Sequence, residues 1–268
     1  MPTAIADPEI RIYWKPGCSN CVRLKEHVTR RGFKFTAVNV VEDPAGFQEL
    51  DTLGAKGLPV LTRGDRYVFG LDLAMVDEVL GLKTDRAPLP VEELIARSVR
   101  HVDAALRFLR QLPVARYEDG LPGRPGRTYF GLANHVVGHL SRLVLVAEQP
   151  DTDFSPLEVY ALAGYQSPQG EDYLEEKVTV EEVEARGRDL QRRAEAWLVS
   201  GDNPQREVEM FYGKVPLHQV IESNTYSITQ HTRQMQAVIT FLGYQPDGPL
   251  GEADYRGLNL PVAMWDEV

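Results

Sequence analysis

The sequence predicts two folded units, a small α/β unit followed by an all-α helical bundle. Three observations lead to this prediction. Short β-rich runs alternate with helical stretches over residues 9–84, and apolar residues recur at helical spacing over 91–245. A polar stretch with prolines, 85–90, separates the two patterns and is the predicted linker, and 246–268 forms a tail. With 268 residues, the chain is long enough for two domains of about 150 residues each.

Composition excludes several classes of protein. Apolar residues make up 43% and charged residues 25%, as in an ordinary folded protein. The formal net charge of −10 argues against a duplex nucleic-acid binder, which needs a basic face toward the phosphates. No apolar run approaches the ~18 residues of a membrane span, and the N-terminal residues lack the features of a signal peptide. We therefore expect a cytoplasmic protein that contacts neither nucleic acid nor membrane.

The first unit is predicted from its strand and helix signals in order. A β-rich run over 10–14 is followed by a helical pattern, and Gly64-Asp65 marks the turn of a hairpin. The predicted order is βαβαββα, the thioredoxin arrangement in its shortest form. Its elements are strand 10–14, helix 19–31, strand 35–41, helix 44–53, strand 59–62, strand 66–69 and helix 76–82.

The two cysteines stand in one four-residue unit, Cys18-Ser19-Asn20-Cys21. A secreted disulfide framework needs cysteines far apart in sequence, and a structural zinc site needs four ligands. A C-x-x-C pair within a βαβ pattern is instead typical of a redox dithiol in a reducing compartment. The alternatives are a dithiol without turnover and an accidental metal-binding pair.

The position of the pair predicts different roles for its two sulfurs. Cys18 falls at a predicted helix start, where unpaired N–H groups and the helix dipole stabilise a thiolate, and Lys15 can add a nearby positive charge. Cys21 lies one turn inside the helix, where it is shielded and can resolve a mixed disulfide formed at Cys18. Pro59 opens a strand opposite the dithiol; such prolines are often cis, and their backbone can pair with an incoming thiol peptide.

Residues 9–84 resemble the glutaredoxins, including their actinobacterial mycoredoxin-like branch. The resemblance rests on three segments: Trp14-Lys15-Pro16-Gly17-Cys18-Ser19-Asn20-Cys21, Leu58-Pro59-Val60 and Gly70-Leu71-Asp72. It implies a thiol-disulfide oxidoreductase with Cys18 as nucleophile and Cys21 as resolving thiol. It also implies a binding site for a low-molecular-weight thiol, made of Lys15, Leu58, Pro59, Gly70 and Asp72.

The third segment departs from the glutaredoxin pattern. The family has a Gly-Gly-x-Asp-Asp segment that receives the α-carboxylate and amine of the thiol, and here only Gly70 and Asp72 match it. The thiol is therefore left open among glutathione, mycothiol and bacillithiol, and a protein disulfide fits as a substrate equally well.

The second unit is predicted as a four-helix bundle. Apolar seams with steps of three and four residues run over 95–109 and 132–146. A capping box at Thr179–Glu182 opens a third helix, and a fourth runs from about Leu217 to Leu242. Four seams with long connections are typical of such bundles.

Three histidines are predicted to face the core of this bundle. His139 and His231 occupy seam positions on two helices, and His135 is one turn from His139. Inward histidines from two helices can converge on a metal, because neutral imidazole is a good ligand. Hydrogen-bonded core histidines are the alternative. We expect His27 to lie at the surface, and His101 and His218 to be surface or capping residues.

Residues 91–245 resemble the DinB-like (YfiT-type) bundles. The match lies in Glu222–Met235, against a family pattern Glu-x-Thr-Thr-Trp-His-x-x-Gln-His-Thr-Arg-Gln-Leu, and in Leu132–Val136. In the family, one histidine of helix two and a His-x-x-x-His of helix four bind a divalent metal, often zinc or nickel. The resemblance implies His135, position 227 and His231 as ligands, but position 227 is Ser227.

The serine leaves two outcomes for the metal site. His139 can substitute and restore a site of three nitrogens, or the site has lapsed and the bundle is a scaffold or binding pocket. The sequence favours a lapsed or weak site, because an i, i+4 pair on helix two has a different geometry from the family's site.

Three functions remain open at this stage. The first is a thiol-disulfide oxidoreductase fused to a bundle that binds a small-thiol conjugate or a metal. The second is a small-thiol S-transferase or isomerase centred on the bundle, and the third is a non-catalytic binding module switched by oxidation. The resemblance to the DinB-like bundles also implies a homodimer formed through the bundle, although the oligomeric state stays open. The connection 149–177 is the predicted substrate- or partner-facing segment. It carries four aromatic residues, Phe154, Tyr160, Tyr165 and Tyr173. Aromatic residues in such connections more often pack on the bundle than bind a ligand.

Overall fold

The computed structural model describes residues 8–84, 87–122, 124–164 and 178–265. By internal contacts, the chain divides into two units. One contains the residues through Ala87 together with the end of the chain from Pro261, and the other is Pro88–Leu260. Residues 85 and 86 of the predicted linker lie outside the described residues. In the first unit, the Glu26 carboxylate accepts hydrogen bonds from the backbone N–H groups of Val262 (2.7 Å) and Ala263 (2.9 Å).

The first unit is a mixed four-stranded sheet with helices, in the order β2-β1-β3-β4. Strand β1 pairs in parallel with β2 and antiparallel with β3, and β3 and β4 form a hairpin. This topology confirms the predicted thioredoxin-like fold. The elements are β1 (Ile10–Trp14), α1 (Ser19–Arg30), β2 (Thr36–Asn39), α2 (Pro44–Thr52), β3 (Val60–Arg63), β4 (Arg66–Phe69) and α3 (Leu73–Val79).

Alternation along β1 builds the core of this unit. Ile10 and Ile12 point to one face, where Leu24 of α1 and Val76 of α3 join them in a buried apolar cluster. Tyr13 points to the other face, and its hydroxyl group donates a hydrogen bond to Glu49 of α2 at 2.7 Å.

Helix α3 begins three residues before the predicted start. The Asp72 carboxylate accepts hydrogen bonds from the N–H groups of Ala74 (2.7 Å) and Met75 (3.4 Å), so this residue caps the helix at its first turn. The apolar periodicity of the sequence becomes visible only after that turn.

The second unit is largely helical, and its long helices α4, α5, α7 and α8 pack against one another. Shorter elements connect these helices or follow them. Among the described residues they are two hairpins, a 3-10 turn and two short helices, and the sequence did not predict any of them. The elements are α4 (Val91–Gln111), the 3-10 turn (Val114–Arg116), β5 (Gly120–Leu121), β6 (Arg124–Thr128), α5 (Tyr129–Glu148), α6 (Leu157–Ala163), α7 (Val180–Val199), β7 (Glu207–Met210), β8 (Gly213–Pro216), α8 (Leu217–Phe241) and α9 (Glu252–Tyr255).

Helix α5 is the apolar centre of the bundle. Among the described residues, it is the one helix long and apolar enough to cross a membrane by length and composition, although 83% of the relevant stretch is buried inside the fold. It contacts the other three long helices, α4, α7 and α8, and also α6 and β6. Its apolar character is that of a core helix packed among neighbours.

Two histidines expected at the surface are buried, which corrects the prediction. His27 is 7% exposed because α3 covers that face of α1, and its Nε2 lies 2.7 Å from Asp77 Oδ1. His101 is fully buried between α4 and α8, with Nδ1 2.8 Å from the Thr229 hydroxyl oxygen. In both cases a polar partner on another helix makes burial of the imidazole tolerable. His218 is partly buried at the start of α8.

The described part of the connection after α5 packs on the bundle. Phe154 is 2% exposed, and its N–H donates to the carbonyl of Glu209 in β7 at 3.0 Å. Tyr160 lies on α6 and faces Asn224 of α8. The predicted aromatic residues Tyr165 and Tyr173 lie outside the described residues.

Candidate functional site

The first candidate site is the cysteine pair at the start of α1. Cys18 is the N-cap residue, and its Sγ accepts a hydrogen bond from the Cys21 N–H at 3.2 Å. The two residues form a disulfide, with their Cα atoms 5.2 Å apart. Cys21 is fully buried, whereas Cys18 is partly exposed. An incoming sulfur can therefore reach Cys18, and Cys21 is shielded.

The surroundings of the pair favour a negative charge. The first turn of α1 contains no carboxylate, and its backbone N–H groups point toward Cys18. Lys15 is exposed in the turn three residues before Cys18. Nearby, the Lys25 ammonium lies 3.7 Å from the centre of the Trp14 ring, which places a second positive charge on the first turns of the helix.

The segments predicted to bind a thiol lie next to each other in the sheet. The Leu58–Pro59 peptide bond is cis, and the carbonyl of Pro59 accepts a hydrogen bond from the Gly70 N–H at 2.8 Å. A Cβ atom on Gly70 would lie 2.5 Å from Leu24 Cδ2 and 3.0 Å from Pro59 Cγ, so glycine allows the close approach of the two segments.

Two polar residues beside this region have contacts within the fold. The Asp72 carboxylate caps α3, as described above. Arg23 of α1 is buried, and its guanidinium donates to the carbonyl of Leu71 at 2.9 Å. The sequence did not single out Arg23, because a lone arginine on a helix normally reads as a solvated residue; its burial depends on the β4–α3 loop that covers it.

Comparison with known proteins identifies this part of the chain. Residues 10–68 match the glutaredoxin family model. The chain is also similar to an uncharacterized glutaredoxin-like 8.6 kDa protein in the rubredoxin operon of Clostridium pasteurianum. The two are 29% identical over 72 residues, which is 26% of this chain and 96% of the relative. No solved structure matches the chain.

The family match covers both cysteines and part of the predicted thiol-binding segment. It begins at the first strand and includes Cys18, Cys21 and Pro59, but it ends before Gly70 and Asp72. With the thioredoxin-like fold, the match suggests a thiol redox function for the first unit.

The second candidate site is a cluster of three histidines in the bundle. His135 and His139 come from α5, and His231 comes from α8; their ligand nitrogens all lie within 4.8 Å of one another. The ring centres are 4.6 Å apart for His135 and His139, 4.9 Å for His135 and His231, and 5.6 Å for His139 and His231. The structure thus brings together the three histidines that the sequence singled out.

Polar side chains hold two of these rings. His139 Nδ1 lies 3.1 Å from Asn224 Oδ1, and its Nε2 lies 3.2 Å from His135 Nε2. His231 Nδ1 lies 2.8 Å from Gln234 Oε1. The sequence showed Asn224 only as a member of a helix seam and Gln234 only as part of a motif. It did not show their histidine partners, because the partner of Asn224 lies on another helix and the partner of Gln234 lies on the preceding turn of α8.

Burial disfavours the protonated forms of two of these histidines. The pKa of His135 is held well below its ordinary value, mainly by burial and then by the positive charge of Arg127. The pKa of His139 is likewise lowered by burial and by Arg142. Neutral imidazoles retain a lone pair for a metal ion, so the donor set fits a borderline cation such as Zn²⁺ or Ni²⁺.

Ser227 has a different contact. It is 4% exposed, and its hydroxyl donates to the carbonyl of Ser223, one turn earlier in the same helix, at 3.2 Å.

Proposed function

We propose that the protein is a thiol-disulfide oxidoreductase that reacts through Cys18. The observation that carries the proposal is the partly exposed residue Cys18 at the N-cap of α1, whose sulfur accepts a hydrogen bond from the Cys21 N–H within the segment that matches the glutaredoxin family. Helix N-termini lower the cost of a thiolate, which is the reactive form of cysteine.

The reaction begins when the Cys18 thiolate attacks one sulfur of a disulfide R–S–S–R′. A bond forms between Cys18 Sγ and the sulfur of R, the S–S bond of the substrate breaks, and R′–S⁻ leaves as a thiolate that takes a proton from water. The Cys21 thiolate then attacks Cys18 Sγ, which forms the intramolecular disulfide, breaks the bond between Cys18 Sγ and the sulfur of R, and releases R–S⁻, which takes up a proton. Two small thiols reduce the intramolecular disulfide, are themselves joined as a small disulfide, and give their two protons to the restored dithiol.

The proposed substrate is a mixed disulfide of a low-molecular-weight thiol or of a protein. Glutathione, mycothiol and bacillithiol are the candidate thiols, and Lys15, Leu58, Pro59, Gly70 and Asp72 form the proposed binding surface. The reducing environment that this cycle requires favours a cytoplasmic location.

Two cysteine variants test this function. Mixed disulfides of each candidate thiol are supplied to the full-length protein, and release of the thiol is measured. Cys18→Ser should abolish turnover, because the remaining cysteine, Cys21, is fully buried and out of reach of the substrate. Cys21→Ser should retain turnover when a small thiol resolves the intermediate. Unchanged turnover in Cys18→Ser would eliminate the proposal.

The histidine cluster supports a second function, a metal centre in the bundle. His135, His139 and His231 would hold the ion, and the observation in favour is the convergence of their nitrogens within 4.8 Å. Three protein ligands leave a coordination position for a substrate in a catalytic zinc site. The bound ion would supply a Lewis acid, which suits a small-thiol S-transferase or isomerase of the DinB-like kind.

Metal analysis tests this second function. The purified full-length protein is dialysed against Zn²⁺ or Ni²⁺, freed of excess ion, and its metal content is compared with that of His231→Ala. About one ion per chain in the parent and none in the variant is expected if the three imidazoles are the ligands. Equal metal content in the two proteins, or none in either, would contradict it.

A further inference from the structure

Asn224 occupies a buried position beside the histidine cluster. It lies on α8 and is 1% exposed. Its amide nitrogen Nδ2 lies 2.9 Å from the carbonyl oxygen of Val220 and 3.0 Å from the hydroxyl oxygen of Tyr160. Its Oδ1 lies 3.1 Å from His139 Nδ1 and 3.4 Å from the Tyr160 hydroxyl. Every side of the amide group therefore faces a polar atom.

These contacts fix the orientation of the amide. A backbone carbonyl only accepts hydrogen bonds, so the group facing Val220 must be the NH₂ of Asn224. Its oxygen then faces His139, and an amide oxygen also only accepts. The Nδ1 atom of His139 must consequently carry the proton in this hydrogen bond.

The proton on Nδ1 determines what the other ring nitrogen can do. A neutral imidazole carries one proton, so His139 Nε2 has a lone pair, and this atom lies 3.2 Å from His135 Nε2. The lone pair thus points at the other ligand nitrogens and not at the surrounding protein. His231 Nδ1 also lies beside a side-chain amide, 2.8 Å from Gln234 Oε1.

We infer that Asn224 is a positioning residue that holds His139 in the Nδ1–H tautomer and aims its Nε2 lone pair into the three-histidine site. This inference rests on the proposed metal centre for its purpose, but the tautomer itself is a property of the metal-free protein. Tyr160 supports the arrangement because its hydroxyl oxygen accepts a hydrogen bond from the Asn224 amide.

The inference also explains how His139 can act as a ligand in place of position 227. An imidazole on α5 needs an acceptor behind it to orient its lone pair, and Asn224 supplies one from α8. Ser227 bonds to its own helix and takes no part. The partners behind metal-binding histidines typically fix the tautomer and raise the basicity of the ligand.

The tautomer is tested first, in the metal-free full-length protein. Nitrogen-15 shifts of the His139 ring, assigned by comparison with His139→Gln, report which nitrogen carries the proton. The parent should show a single Nδ1–H form, and Asn224→Leu, which cannot accept a hydrogen bond, should show a mixture or the Nε2–H form. An Nε2–H form in the parent, or an unchanged Nδ1–H form in Asn224→Leu, would overturn the inference.

Metal binding is tested second, with Co²⁺ as an optical probe. Asn224→Leu should weaken Co²⁺ binding by about 10- to 100-fold, the usual effect of removing such a partner. Asn224→Asp keeps an acceptor behind Nδ1 and should hold the Nδ1–H tautomer and bind Co²⁺ at least as well as the parent. Ser227→Ala, on the same helix, is the matched control and should bind like the parent.

The two tests separate this inference from the metal centre. If the parent binds no Co²⁺ but shows the Asn224-dependent tautomer, the metal centre fails and the positioning role stands. If the parent binds Co²⁺ and Asn224→Leu binds it equally with the same spectrum, the positioning role fails and the metal centre stands. Should Asn224→Leu fail to fold, Asn224→Asp decides, because loss of the Nδ1–H form in that variant would contradict the inference.

Discussion

At the scale of single residues, the partner of each imidazole decides what the side chain can do. His27 faces a carboxylate, Asp77, at 2.7 Å, and this buried hydrogen bond ties α1 to α3. His101 faces a threonine hydroxyl and has a structural place between helices. His139 faces an amide oxygen with one ring nitrogen and His135 with the other. Residues of one type thus fall into three chemical classes.

The burial of His101 predicts an acid-sensitive fold. Burial, followed by the charge of Arg100, lowers the pKa of His101 from 6.5 to about 4. Between these values the unfolded chain binds a proton at this residue and the folded chain does not, so the free energy of unfolding falls as pH falls through that window. The shift corresponds to about 3 kcal/mol at most.

Urea unfolding across this pH range checks the assignment. His101→Gln should show a shallower loss of stability between pH 6.5 and about 4 than the parent. The part of the slope that remains belongs to the other buried histidines, whose pKa values are also lowered. A variant with the same slope as the parent would show that His101 does not cause the sensitivity.

Gly70 predicts a packing cost in the first unit. Gly70→Ala would place its Cβ 2.5 Å from Leu24 Cδ2, and the resulting shift should lower the free energy of unfolding by about 1–3 kcal/mol. Urea unfolding measures this. Gly126→Ala, which meets no atom within 4 Å, is the control and should change stability by less than about 0.5 kcal/mol. If Gly70→Ala and Gly126→Ala change the free energy of unfolding equally, Leu24 can move away from the new Cβ without loss of stability.

At the scale of elements, α7 begins with a reciprocal cap. The Thr179 N–H donates to the Glu182 carboxylate at 2.7 Å, and the Glu182 N–H donates to the Thr179 hydroxyl oxygen at 3.2 Å. Both hydrogen bonds satisfy backbone donors that a helix start leaves without partners.

Removal of this cap should destabilise the bundle. Thr179→Ala is expected to lower the free energy of unfolding by about 1 kcal/mol, the typical value for an N-cap side chain. Circular dichroism during urea unfolding measures the change. Glu195→Ala, an exposed site on the same helix, should stay within about 0.5 kcal/mol of the parent. A loss at position 195 as large as that at position 179 would contradict a capping role.

Elements that are long, or whose ends carry clear capping or turn residues, were predictable from the sequence. The βαβαββα order, the capping box of α7 and the end of α8 before Gly243 all carry local signals. Helix α6 has seven residues, and β7 and β8 have four each, too few for a period to be recognised. These short elements form through tertiary contacts, such as the pairing of Phe154 with Met210.

Some residues of the candidate sites were likewise predictable from the sequence, and others were not. The dithiol and the three histidines follow from spacing, because their members are close in sequence or recur on helix seams. Asn224 and Tyr160 are 64 residues apart, and their contact depends on how α6 lies on the bundle. Burial of His101 also depends on a contact between two helices, since its partner Thr229 lies on α8. Periodicity shows which residues share one face of a helix, but it does not show which residue of another helix they contact.

At the scale of the whole molecule, the proposed metal centre predicts a ligand-dependent stability. An ion that binds only the folded state adds about 2.7 kcal/mol at a concentration 100 times its dissociation constant. Zn²⁺ should therefore raise the unfolding midpoint of the full-length protein, and a chelator should reverse the effect. His231→Ala should not respond. A response to Zn²⁺ in that variant equal to the parent's would place the stabilising ion elsewhere.

The first unit is discontinuous in sequence, since it includes the end of the chain from Pro261, where Val262 and Ala263 donate to Glu26. A gene fragment that stops at the end of the glutaredoxin match would encode both cysteines but would omit this peptide. Excision of the first unit in that form would then expose the Glu26 carboxylate to solvent. Circular permutation, or addition of the missing peptide in trans, would restore the pairing.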